Sequence, residues 1–130
     1  MQRVEAWSEA AEDRPRCWVH GDLYARHVLL DDEGRPTGLI DWGDMHVGDP
    51  NLDLVLVPAM IVREDWASFF AHYGAISPAA WDRVRFRALY GATIMVHYGH
   101  VEGDQALQRA GRYTLGVLLD EPLCAPVLRP

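Results

Sequence analysis

Two carboxylates, Asp22 and Asp41, stand beside short apolar runs within residues 18–53, WVHGDLYARHVLLDDEGRPTGLIDWGDMHVGDPNLD. An unpaired carboxylate next to apolar strand-like sequence is costly, and a shared metal ion or a reacting proton would explain both. Three histidines, His20, His27 and His46, lie in the same stretch and could supply metal ligands or proton-transfer groups. Val28-Leu29-Leu30 and Gly38-Leu39-Ile40 read as strands joined by the turn-forming Asp31-Asp32-Glu33-Gly34-Arg35-Pro36. The resulting hairpin would gather Asp22, His27 and Asp41 at one end. Asp31, Asp32 and Asp49 read instead as turn and cap residues.

The order of these groups is specific. His20-Gly21-Asp22 is followed at the fifth residue after Asp22 by His27, and Asp41-Trp42-Gly43 comes after the hairpin. Protein kinases use His-x-Asp-x-x-x-x-Asn followed by Asp-Phe-Gly. With HGDLYARHVLL and LIDWGD both present, the chain resembles the aminoglycoside phosphotransferase and choline kinase-like family, most strongly over residues 17–57. That resemblance implies transfer of the ATP γ-phosphate to a small-molecule hydroxyl. It makes Asp22 the base that orients the acceptor, with His20 beside it as a catalytic-loop residue that mostly braces the loop. Asp41 and His27 become the ligands of Mg2+ or Mn2+, and Asp53 a structural support of the loop. Most members have Asn where this chain has His27; here it resembles the macrolide-modifying members. Magnesium prefers oxygen ligands and imidazole suits softer metals, so His27 favours manganese.

The elements that must hold this site are mostly helical. Residues 1–12 place Val4, Trp7, Ala10 and Ala11 at helical spacing, and Cys17-Trp18-Val19 leads as an extended segment into the loop. Asp49-Pro50 and Ser77-Pro78 are cap-then-proline helix starts. The first opens an apolar helix that Pro58 should kink or end, and the second a long helix over about 78–98. A helix over 64–73 stops at Gly74, and Asp104 caps a last helix over 105–119, before the tail EPLCAPVLRP. Trp81, Val84, Leu89, Ile94 and Val96 are among the apolar positions of the long helix. Arg83, Arg85 and Arg87 alternate along it and read as a solvated surface, as do His97 and His100. The fold class is α+β and mostly helical: a catalytic β-hairpin followed by helices, resembling a kinase C-terminal lobe, in a single domain spanning 1–130.

Composition sets the outer bounds. The 130 residues suit one domain, and a net charge of −7 argues against a nucleic-acid footprint. No apolar run reaches a membrane span and no leader is visible, so the expected location is cytoplasmic. Cys17 and Cys124 lack metal-ligand spacing and read as buried free thiols. All 12 basic residues are arginine. The resemblance implies a phosphate-gripping lysine and a strand-rich nucleotide lobe, and neither is expected in this chain. The expectation is therefore a C-terminal lobe, inactive alone, that uses ATP only if a separate N-terminal-lobe partner supplies the missing half. A non-catalytic binding or scaffold module is the alternative. A metal-dependent hydrolase built on His20, Asp22, Asp41 and His46 is a third reading. An acidic pocket would suit a cationic acceptor. Apolar surface near Trp7, Trp18 and Trp42 predicts a homodimer; a concentration-independent mass of 14.7 kDa in light scattering excludes it.

Overall fold

The turn after Leu30 closes on its own carboxylate. Asp31 accepts from the backbone N–H groups of Glu33 and Arg35 at 3.0 and 2.8 Å and from Arg35 Nε at 2.7 Å. The Arg35 N–H is the main reason the Asp31 carboxyl lies below the usual carboxylate range. In the computed structural model, which describes residues 15–120, this turn joins β2 (Val28–Leu30) to β3 (Pro36–Leu39) as an antiparallel pair. The second strand begins two residues earlier than its apolar run, because Pro36 fills the edge position opposite Leu30 after a register shift. A second antiparallel pair joins β1 (Cys17–Val19) to β4 (His46–Gly48), with Trp18 opposite Val47. This pair fastens the two ends of the candidate site stretch together.

Helices make up most of the rest. Asp49 accepts from the Asn51 N–H, and Pro50 opens a 3-10 helix, Pro50–Val55, which passes into α1 (Leu56–Met60). The apolar run thus starts tightly wound and ends two residues after Pro58. A 3-10 turn, Arg63–Asp65, leads into α2 (Trp66–Tyr73), which stops at Gly74 with φ of 99°. Ser77 caps α3 (Pro78–Val101) by accepting from the Ala80 N–H, and Asp104 caps α4 (Gln105–Leu119) by accepting from the Leu107 N–H.

The core lies where α1, α2 and the N-terminal part of α3 meet. Trp81, Phe70, Val57, Val84 and Leu54 are buried there, and the Trp66 and Phe70 rings meet Trp81 edge-on at 5.2 and 5.7 Å. Such edge-to-face pairs add about 0.5–1.5 kcal/mol each beyond burial. The Trp66 indole N–H is satisfied by the Ile61 carbonyl at 2.9 Å.

Leu89 and Ile94 are exposed, since the faces of α3 that meet the core and α4 carry Ala80, Trp81, Val84, Ala88 and Ala92 instead. Several expectations differ from what is observed. The three alternating arginines are not a uniformly solvated set. Arg83 approaches Asp49 at 3.8 Å, Arg85 lies mostly buried against the Leu118 carbonyl at 3.4 Å, and Arg87 reaches the Gly21 carbonyl at 3.5 Å. Cys17 is exposed rather than buried, because β1 turns its first two residues outward. The helix expected over 1–12 with Trp7, the tail with Cys124, and their contacts lie outside the described residues. No described helix is long and apolar enough to cross a membrane.

Candidate active site

The loop 20–27 is held from beneath by Asp53. Its carboxylate accepts from the His20 N–H at 2.7 Å and from the Gly21 N–H at 3.1 Å. Asp53 sits in the 3-10 helix Pro50–Val55, so the cap at Asp49 fixes the carboxylate that fixes the loop. Gly21 has φ of 87°, and a Cβ there would stand 2.5 Å from the Asp44 carbonyl oxygen. Only glycine fits that close crossing of the 20–27 loop and the segment after β3.

His20 is buried, at 2% exposure. Its Nε2–H donates to the Ile40 carbonyl at 2.8 Å, its ring lies 4.8 Å from that of Trp42, and its Nδ1 has no partner among the described residues. A ring so enclosed cannot touch a substrate. His20 thus ties the loop to Ile40, the residue that precedes Asp41.

His27 occupies a single 3-10 turn, Ala25–His27, at the mouth of the hairpin. Its Nδ1 lies 2.8 Å from the Asp22 carbonyl oxygen, which can only accept, so Nδ1 carries the proton. In neutral His27 the Nε2 lone pair then faces Asp41 Oδ2 at 3.4 Å. Two electron-rich atoms at that distance repel unless a proton or a cation lies between them. A ring N–H given to a carbonyl, with the other nitrogen free, is also the usual arrangement of a metal-bound histidine. Asp41 adopts the left-handed conformation (φ 62°, ψ 59°), the one non-glycine residue with positive φ among those described. Asp tolerates this better than most residues, yet it still costs roughly 1 kcal/mol, and such strain clusters at functional sites.

The pair fits a divalent ion, with His27 and Asp41 as its protein donors. Among the described residues no group of three or more His, Cys, Asp or Glu side chains could hold a metal, so water or a ligand must complete the shell. The hydrolase reading loses its support for that reason. His20 is buried with Nε2 already engaged, and His46 gives its Nδ1 to the Asp44 carbonyl at 2.8 Å. His97 and His100 are exposed on α3, away from any such group.

Beside Asp22 opens a cavity of about 500 Å3, walled by the 21–26 loop, the helix around Leu52–Ala59, and the facing sides of α3 and α4. Arg26 and Asp104 pair across one edge, joining the loop to the start of α4. The Leu107 N–H and the Arg26 guanidinium hold the Asp104 carboxyl below the usual carboxylate range. Sequence reasoning missed this pair and Arg87 on the Gly21 carbonyl, and did not give Trp42 its ring contact with His20. No local pattern marks partners more than 60 residues apart, whereas Trp42 stood inside the motif and was legible as its aromatic residue.

Comparison with known proteins decides the family. The family model described as phosphotransferase enzyme family (APH) matches residues 1–87. The chain belongs to this family. A Bacillus subtilis (strain 168) relative, the uncharacterized protein YcbJ, is 34% identical over 67 residues, which are 52% of this chain and 22% of that protein. Among solved structures, a macrolide 2'-phosphotransferase type I is 28% identical with a TM-score of 0.54, over 88% of this chain and 40% of that one. The gentamicin complex of APH(2")-IIa shares the fold at 22% identity and a TM-score of 0.50, over 94% and 43% of the respective chains. This phosphotransferase-family chain spans less than half the length of each of these relatives.

Proposed function

We propose that this phosphotransferase-family chain is the acceptor-binding, kinase-like C-terminal lobe of an enzyme that moves the ATP γ-phosphate to a small-molecule hydroxyl. One observation carries the reading: Asp22 borders the large cavity, while its own carbonyl orients His27 towards Asp41. Acceptor site and ion site thus share one residue. In the reaction, the Asp22 carboxylate orients the acceptor hydroxyl and takes its proton as the oxygen bonds to the γ-phosphorus. The bond from that phosphorus to the bridging oxygen breaks and ADP leaves. A divalent ion held by His27 and Asp41 would neutralise charge on the phosphates. Asp53 and His20 keep both carboxylates in place and do no chemistry. The 130 residues contain no lysine to grip the nucleotide, which favours inactivity of the chain alone and equally fits a binding module.

Calorimetry and turnover on one preparation test this. Mn2+ should bind weakly but more tightly than Mg2+, and Asp41→Ala should remove the heat. No ATP turnover is expected from the purified chain. Identical heats for wild type and Asp41→Ala would sink the ion site. ATP-dependent phosphorylation that vanishes in Asp22→Asn would instead show a nucleotide site within these residues.

A further inference from the structure

The cavity beside Asp22 is chemically one-sided. Leu23, Leu52, Val55, Ile94, Met95 and Leu107 supply most of its wall, and Tyr24, Tyr90 and Tyr98 add aromatic rings. Its charged lining consists of one carboxylate, Asp22, against two guanidiniums, Arg26 and Arg87, in a chain whose net charge is −7. An acidic pocket, which would suit a cationic acceptor, is therefore not what the described residues build. A compound with several amines would find a single anion here and would lose water from the rest of its charges without replacement.

Glycine placement on α3 points the same way. Gly99 and Gly111 are explained by close crossing of α3 and α4, since a Cβ would stand 2.8 Å from the Asp104 carbonyl oxygen and 2.7 Å from that of Ala92, respectively. Gly91 has no such reason: a Cβ there would meet nothing within 4 Å among the described residues. Glycine is disfavoured in a helix interior, and here the space it leaves opens into the cavity. Gly116 is equally open but does not line this cavity, so an open glycine alone marks nothing; the wall around Gly91 does.

We infer that the acceptor is a hydroxyl-bearing compound with a predominantly apolar body and at most one cationic centre, and that Gly91 makes room for that body. A volume of about 500 Å3 lies in the range of drug-sized sites. The apolar wall drives binding by desolvation, and the ring faces orient the body. Asp22 is left as the one anion free to accept a hydroxyl proton. This rests on the cavity being the acceptor site, but not on the ion pair of His27 and Asp41.

The test uses the full chain without nucleotide. Erythromycin, a largely apolar lactone with one amine, and the polyamine gentamicin are titrated calorimetrically. Erythromycin should bind at least tenfold more tightly. Gly91→Phe should weaken it at least tenfold while raising the melting temperature, because any side chain there improves helix propensity and meets open space. Gly91→Ala should raise the melting temperature with little change in binding. Equal or tighter binding of gentamicin overturns the acceptor class, as does binding of neither probe. Unchanged erythromycin affinity in a folded Gly91→Phe overturns the role of Gly91. Manganese heats lost in Asp41→Ala are independent of Gly91, so the two readings fail separately.

Discussion

Asp53→Ala should cost about 3–4 kcal/mol of stability and remove most of the manganese heat from a site it does not touch. Two charge-assisted hydrogen bonds end on this carboxylate, from the His20 and Gly21 N–H groups. Bonds to a charged acceptor contribute about 1.5–3 kcal/mol each, with the lower part of that range fitting their partial burial. Alanine also leaves two donors without partners beside a ring that is 2% exposed. Gly21 cannot relax towards the Asp44 carbonyl, which already lies against it. The loop must therefore lift, taking the His20 ring off the Ile40 carbonyl and loosening the residue before Asp41. Asp53→Asn keeps one acceptor oxygen but turns an amide N–H2 on the second donor, so it should lose about half as much. Denaturant unfolding gives the stability, and calorimetry the ion site. A loss under about 1 kcal/mol with full manganese heat would mean that the loop is held by something other than Asp53.

The same residues show what could be read from the sequence. Turn and cap chemistry was legible because it is local. Asp31 closes its own turn, Asp49, Ser77 and Asp104 cap the helices they precede, and Gly74 ends α2. The spacing from Asp22 to His27 and on to Asp41 named residues of which the Asp22 carbonyl, the His27 ring and the Asp41 carboxylate lie together at the hairpin mouth. It could not give the ring orientation, which depends on the Asp22 carbonyl rather than its side chain. β4 was missed because His46-Val47-Gly48 is too short to show alternation, and its partner lies far back in the chain at Cys17–Val19. The core-facing side of α3 was not legible for a different reason. Large apolar residues occur on several of its faces, and the side packed against α4 is marked by small ones, Ala88, Ala92 and Gly99. The cavity was invisible for the same cause: part of its wall is built from Ala88, Gly91 and Ala92, whose side chains announce nothing.

Those small residues carry the second large effect. Gly111→Val should destabilise the chain by about 2–3 kcal/mol and weaken erythromycin binding, leaving the manganese site unchanged. Helix propensity alone predicts a gain, since valine is favoured over glycine in a helix interior by a few tenths of a kcal/mol. Packing opposes it. A Cβ at 111 would lie 2.7 Å from the Ala92 carbonyl oxygen, 2.8 Å from Val96 Cγ2 and 3.1 Å from Met95 Cβ. The nearest of these is backbone in the middle of α3, which cannot swing aside as a side-chain tip would. Overpacking of this kind costs about 1–3 kcal/mol, and the two γ-methyls of valine place it at the upper end. Relief requires α3 and α4 to part. Ala92, Leu107 and Thr114 line the cavity at that contact, so parting the helices reshapes the proposed acceptor site. His27 and Asp41 are held from Asp22, the hairpin and Asp53, and the two ties from the helices to the loop, Arg87 to Gly21 and Asp104 to Arg26, run through exposed arginines that can follow a helix shift. Unfolding and the two titrations on Gly111→Val separate these consequences. Unchanged stability would show that the two helices yield freely, and that their close approach is not what shapes the cavity wall.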